Sequence, residues 1–131
     1  MSKLLVVDDE IMMRECVTAI LTAIGYNVVE AKDGVEALKV YEAMRSEIAL
    51  IIMDIIMPRM DGITATNAIK AIEPSAKVIL MSGTSEQLPV EAKADAFLSK
   101  PFRGKDLVEM VQKVIQDLKP IPWVVLPPQQ N

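Results

Sequence analysis

The sequence predicts an α/β protein of the doubly wound kind, a (βα)5 chain with a five-stranded parallel sheet. Two observations carry that expectation. Short apolar runs of strand length alternate with longer segments whose apolar residues recur at helical spacing. The short runs are also apolar nearly throughout, as strands covered on both faces are. Strands alternating with single helices imply right-handed βαβ crossovers and a sheet sandwiched between two helical layers.

The elements follow in order. Residues 3 to 7, "KLLVV", are the first strand, and the stretch to Ile24 carries Met13, Val17, Ile20 and Ile24 at helical spacing before Gly25 stops it. "NVVE" is the second strand. Asp33 with Glu36 three residues on reads as a capping box for a helix bearing Val35, Leu38 and Met44. "ALIIMD" is the third strand, and "ITATNAIKAI" a helix with Ala65, Ile69 and Ile72 on one face. "KVILMS" and "AFLS" supply strands four and five. The last helix is expected from about Lys105 to Leu118, with Leu107, Val111, Val114 and Leu118 inward. Only 17 residues separate Ser82 from Lys100, and Pro89 falls among them, where it is excluded from a helix interior. The helix between strands four and five is therefore expected to be vestigial or irregular.

One domain, residues 1–119, accounts for the pattern, and a proline-rich tail or linker occupies 120–131. Hydrophobic residues make up 51% and charged residues 24%, a globular balance. No apolar run approaches the roughly 18 residues that span a bilayer, and "MSKLLVVDDE" is too short for a secretory signal, so a cytoplasmic protein without membrane insertion is expected. The single cysteine, Cys16, permits no internal disulfide, and its apolar neighbours suggest a buried thiol. Histidine is absent, which removes Ser-His-Asp and Cys-His nucleophiles and His-ligated zinc. A formal charge of −4 argues against nucleic-acid binding by this chain. Its glycines are isolated, so neither a P-loop nor a dinucleotide fingerprint exists.

The chemistry then rests on carboxylates. "LIIMDIIMP" is an apolar run broken by Asp54 at the end of strand three. Open parallel sheets bind ligands beyond the carboxyl ends of their strands, near the point where strand order reverses. In the order 2-1-3-4-5, strands one and three are neighbours there, so Asp8, Asp9 and Asp54 should converge. At about 4 Å and an effective dielectric near 20, each like-charge pair costs about 4 kcal/mol. A hard divalent cation with oxygen ligands offsets that repulsion, and Mg2+ is the natural candidate. "DDE" read alone is simply an acidic helix start. Lys100 and Ser82, at the ends of strands five and four, make the group harder to dismiss.

In order along the chain, "VVDDE", "MDIIMPRMDG", "ILMSG" and "FLSKPF" resemble the CheY-like receiver domains of two-component response regulators over roughly residues 3 to 118. The resemblance implies a flavodoxin-like fold and a phosphorylation-activated signalling switch. Asp54 matches the aspartate that accepts a phosphoryl group from a phosphohistidine on a sensor histidine kinase or a phosphotransfer protein. It also implies that Asp9 binds Mg2+ directly, Asp8 largely through water, and that Asp54 and the backbone carbonyl of Ile56 complete the protein ligands. Lys100 would pair with a phosphoryl oxygen, Ser82 would hydrogen-bond another, and Phe97 occupies the aromatic switch position, although plain core packing also describes it. Pro101 stands where the family has a cis bond, and Met57, Pro58 and Gly62 shape the loop after strand three. Such a domain is not an enzyme acting on a separate substrate; it promotes its own phosphorylation and dephosphorylation. "MSG" with "FLSKPF" is similar to receivers of phosphorelays attached to hybrid histidine kinases. The output partner is not specified.

Three rival readings fit parts of the sequence. A haloacid-dehalogenase-type phosphatase needs a second aspartate two residues after its nucleophile, where Ile56 stands. A flavodoxin would meet the acids of "VVDDE" at its flavin phosphate. A phosphorylation-independent pseudo-receiver keeps the fold without the chemistry, and the intact set Asp8, Asp9, Asp54, Ser82 and Lys100 argues against it.

Overall fold

The computed structural model describes residues 2–83 and 93–116. Five strands, β1 (Lys3–Val7), β2 (Asn27–Ala31), β3 (Ile48–Asp54), β4 (Val78–Ser82) and β5 (Ala96–Ser99), form one parallel sheet in the order 2-1-3-4-5. Among the described residues four helices connect or follow them: α1 (Ile11–Ala23), α2 (Gly34–Met44), α3 (Gly62–Ile72) and α4 (Gly104–Ile115). Helix α4 is the expected last helix. The expected irregular helix around Pro89, the tail 120–131 and Leu118 lie outside the described residues.

Strand periodicity sorts the core into two layers. Leu4, Val6, Leu50, Ile52, Ile79, Met81, Ala96 and Leu98 point to one face, where Val17 and Leu21 of α1 and Leu107, Val111 and Val114 of α4 cover them. Their neighbours Leu5, Val7, Ile51, Met53, Val78, Leu80 and Phe97 point to the other face, beneath Ala37 and Tyr41 of α2 and Ala65 and Ile69 of α3. β1 and β3 lie side by side, pairing Leu5 with Ile51 and Val7 with Met53, and so bring the Asp8 and Asp54 ends together.

Several local expectations are corrected. Ile24 is 45% exposed, because the chain reverses at Gly25 (φ 102°), and Tyr26 packs on the core instead. Gly25 and Tyr26 donate to the carbonyls of Thr22 and Leu21, closing the helix end, and only glycine adopts that φ without strain. Cys16 is exposed: the helical period turns it away from its buried neighbour Val17. The buried face of α2 is Gly34, Ala37 and Tyr41, with Val35, Leu38 and Met44 only half-buried. Small residues are required there, since a Cβ on Gly34 would lie 2.5 Å from the Met60 carbonyl oxygen. The cap of α2 is half the expected box: Asp33 accepts from the Glu36 N–H at 2.8 Å, but Glu36 accepts from Lys32 rather than from Asp33. Ile72 ends α3 at 37% exposure while Ala65 and Ile69 are buried as expected.

Candidate functional site

The site lies at the carboxyl end of the sheet. Asp8 follows β1, its backbone N–H donating to the Ala31 carbonyl at 3.2 Å, and its side chain is fully buried. One carboxylate oxygen accepts from the Glu10 N–H at 3.0 Å, and the other faces the Lys100 Nζ at 3.2 Å. The acids of "DDE" do not cap α1: its N-cap residue, Glu10, makes no side-chain cap bond, and Asp8 instead closes the turn ahead of the helix with one oxygen and meets Lys100 with the other. Asp54 ends β3 at 9% exposure; its Oδ1 accepts from the Ile55 N–H at 3.0 Å and lies 3.4 Å from Lys100 Nζ.

Lys100 follows β5, fastened by its own N–H to the Ser82 carbonyl at 2.7 Å, and the Lys100–Pro101 bond is cis. Its ammonium therefore sits between two carboxylates from β1 and β3. Asp9 is exposed, and one oxygen from each of Asp8, Asp9 and Asp54 lies within 4.8 Å of the others. At that separation, Asp8 and Asp54 repel by about 3.5 kcal/mol at an effective dielectric near 20. Burial pushes the Asp54 carboxyl above its ordinary pKa; Lys100 pulls it down and Asp8 adds to the rise. A buried carboxylate whose charge is poorly solvated is poised to gain from a cation. Three converging carboxylate oxygens form a hard donor set, which fits Mg2+.

Asp8, Asp9, Asp54 and Lys100 are brought together as the sequence suggested. Ser82 ends β4, half-buried, one strand over from Asp54. Ile56 lies two residues past Asp54, 64% exposed. Phe97 is 2% exposed and packs in the layer of α2 and α3, opposite Leu80 in the sheet register. Gly62, the first residue of α3, crosses directly over the strand end: a Cβ there would lie 2.2 Å from the Asp54 carbonyl oxygen, and its N–H donates to the Ile55 carbonyl at 2.7 Å.

Two arginines went unread in the sequence. Arg14 donates to the Asp8 carbonyl at 2.7 Å and to Glu30 at 2.9 Å, tying the β1–α1 turn to β2. Arg59 pairs with the buried Asp33. Glu30 and Asp33 lie 16 and 26 residues from their arginines, so no local pattern announces these ion pairs.

The profile of the response regulator receiver domain family matches residues 4–112. The chain is 39% identical over 117 residues to the chemotaxis protein CheY of Thermotoga maritima, covering 86% of this chain and 96% of that one. It is 37% identical over 117 residues to the sensor kinase CckA of Brucella abortus, covering 86% of this chain and 12% of the kinase. The CheY chain in the crystal structure of the CheX–CheY–BeF3–Mg complex from Borrelia burgdorferi superposes with a TM-score of 0.81 at 31% identity, over 86% of this chain and 88% of that one. Matching fold, strand order and acidic cluster together with these likenesses, the chain belongs to the response regulator receiver domain family.

Proposed function

We propose that this chain is a cytoplasmic phosphorylation-activated switch in which Asp54 takes a phosphoryl group from a phosphohistidine of a sensor histidine kinase or phosphotransfer protein. Receiver domains of two-component signalling are phosphoacceptor switches as a family. The observation that carries the assignment to Asp54 is the Lys100 ammonium held between Asp8 and Asp54 at 3.2 and 3.4 Å, beside a third carboxylate.

An Asp54 carboxylate oxygen attacks phosphorus; the P–O bond forms as the P–N bond to the donor imidazole breaks, and the bonding pair stays on the ring nitrogen. Asp8, Asp9, Asp54 and the Ile56 carbonyl would hold Mg2+, which neutralises charge on the phosphoryl oxygens when bound. Lys100 then exchanges a carboxylate for a phosphoryl oxygen, and Ser82 donates its hydroxyl to another. The strands hold Asp54 rigidly, so most of the rate comes from positioning. Loss of the group follows when water attacks phosphorus and the P–O bond to Asp54 breaks, returning the carboxylate. The added charge, about −2, biases a two-state element reported by Ser82 and Phe97, the latter buried in this structure. The phosphodonor reading draws support from CckA being a sensor kinase and from the beryllofluoride and Mg2+ of the Borrelia CheX–CheY complex. Residues 1–119 would form the switch and 120–131 a tail or linker.

Intact-mass spectrometry after incubation with acetyl phosphate and Mg2+ tests the reading. One phosphoryl adduct is expected on the native chain and none on Asp54→Asn. An adduct that persists in Asp54→Asn would overturn the assignment, and no adduct on either protein would favour the interaction-only reading.

A further inference from the structure

The loop from Ile55 to Asp61 runs beside Asp54 and is held in an unusual shape. Met60 donates its N–H to the Pro58 carbonyl at 2.7 Å, closing a γ-turn whose central residue, Arg59, has φ 66°. A γ-turn with positive φ at its centre is rare and strained, and a side chain as large as arginine gains nothing from the left-handed region. Strain of this kind persists only where surrounding contacts over-determine it.

An ion pair supplies the compensating contact. Arg59 donates through Nε at 2.9 Å and through Nη2 to the same oxygen, Oδ2, of Asp33, 26 residues away. Asp33 is 1% exposed, and its other oxygen takes the Glu36 N–H at the start of α2. Both oxygens are therefore used, one to cap α2 and one to grip the loop. Two backbone contacts fit the loop to its seat: the Met60 carbonyl against Gly34, and Gly62 against the Asp54 carbonyl. The Glu36 N–H and then Arg59 hold the Asp33 carboxyl below its ordinary pKa against the effect of burial, so the charge needed for the grip is present at neutral pH.

We infer that Asp33 and Arg59 act as a positioning pair for the Mg2+ site, anchoring the loop that carries Ile56 to the start of α2. The inference rests on the functional reading above, which places Mg2+ beside Asp54. Neither residue touches the metal; each acts through the loop's backbone. Outer partners that orient a metal's ligands typically contribute tenfold to a hundredfold in affinity.

Titration calorimetry with Mg2+ on the full chain tests this, with the melting temperature of the metal-free protein as a second readout. Arg59→Ala and Asp33→Asn should each weaken Mg2+ binding by about tenfold, the asparagine still accepting the Glu36 N–H. The double variant should be no weaker than either single one, and Arg59→Lys, keeping the charge without the fork, should fall between. Native Mg2+ affinity in both single variants would overturn the inference, even with lowered melting temperatures, because the pair would then only brace the fold. Losses that add in the double variant would also overturn it. Absence of Mg2+ binding by the native chain would sink the functional reading and this inference with it.

Discussion

Gly62→Ala and Gly104→Ala make the same chemical change at the same place in a helix, the first residue of α3 and of α4, and the structure assigns them opposite outcomes. At Gly62 a Cβ would stand 2.2 Å from the Asp54 carbonyl oxygen, where ordinary contact begins near 3.4 Å. One of the two backbones must give by about 1.2 Å, the difference between those distances. Forced shifts in packed interiors cost about 1–3 kcal/mol, and two backbone segments place this one at the upper end. Alanine returns about 0.5–1 kcal/mol through reduced chain entropy, leaving a net loss of about 2 kcal/mol. At about 4 °C per kcal/mol for a domain of this size, the melting temperature should fall by about 8 °C. The displaced atom belongs to Asp54, and a shift of about 1 Å at a reacting group can lower a rate by about 100-fold. At Gly104 the nearest atom to a Cβ is Ile20 Cδ1 at 3.5 Å, an ordinary contact, so alanine should raise the melting temperature by about 2–4 °C with phosphorylation unchanged. Calorimetric melts and the acetyl phosphate modification rate read both effects. If Gly62→Ala matched Gly104→Ala in both, the close crossing over the strand end would be refuted.

Asp54 sets a pH dependence in the absence of metal. Its folded-state pKa is raised, chiefly by burial, so its contribution to stability is present at acid pH and is lost as pH rises through that raised value. Melts in EDTA from about pH 4 to 7 should show Asp54→Asn gaining on the native protein as pH rises, and a difference between the two that stays constant or moves the other way would contradict this. Asp8→Asn should weaken Mg2+ binding at least tenfold, measured by calorimetry, while raising the metal-free melting temperature by a few degrees through relief of the repulsion from Asp54. Ile56 lies two residues past Asp54 and is 64% exposed, and in the proposed reaction its apolar side chain could not orient a hydrolytic water. Ile56→Asn should therefore shorten the lifetime of the phosphorylated protein several-fold, followed by intact mass over time.

The alternation of strands and helices was legible because it follows from periodicity, whereas the order 2-1-3-4-5 came with the doubly wound class and the receiver resemblance. A parallel strand that ends in a carboxylate puts that group at the carboxyl edge of the sheet, and in the order 2-1-3-4-5 the ends of β1 and β3, with Asp8 and Asp54, are neighbours. Lys100 and Ser82 were legible for the same reason, as ends of strands in one register. Sequence reading failed where a contact joins distant segments through space. Gly34 looks like an ordinary helix start until the Met60 carbonyl is seen against it, and Asp33 looks like a cap alone until Arg59 reaches its second oxygen. Ile24 and Cys16 were misplaced because helix ends and helix faces shift by one residue without changing the composition of the pattern. Lys70, which pairs with Asp95 at 2.8 Å to lock α3 onto the start of β5, belongs to the same class.

The ammonium of Lys100 between Asp8 and Asp54 gives the resting protein an internal counter-ion. Binding of Mg2+ at the proposed site would then be an exchange of cations, its affinity the difference between what the acids gain from the metal and what they lose from Lys100. Lys100 offsets part of the repulsion between Asp8 and Asp54 without metal, and leaves Asp9 outside the pairing it makes. The same exchange releases a cation already tethered within reach of Asp54. In the proposed reaction the phosphoryl group would meet a positive charge already largely withdrawn from water in the folded chain, so part of the site's readiness would be stored in the fold itself.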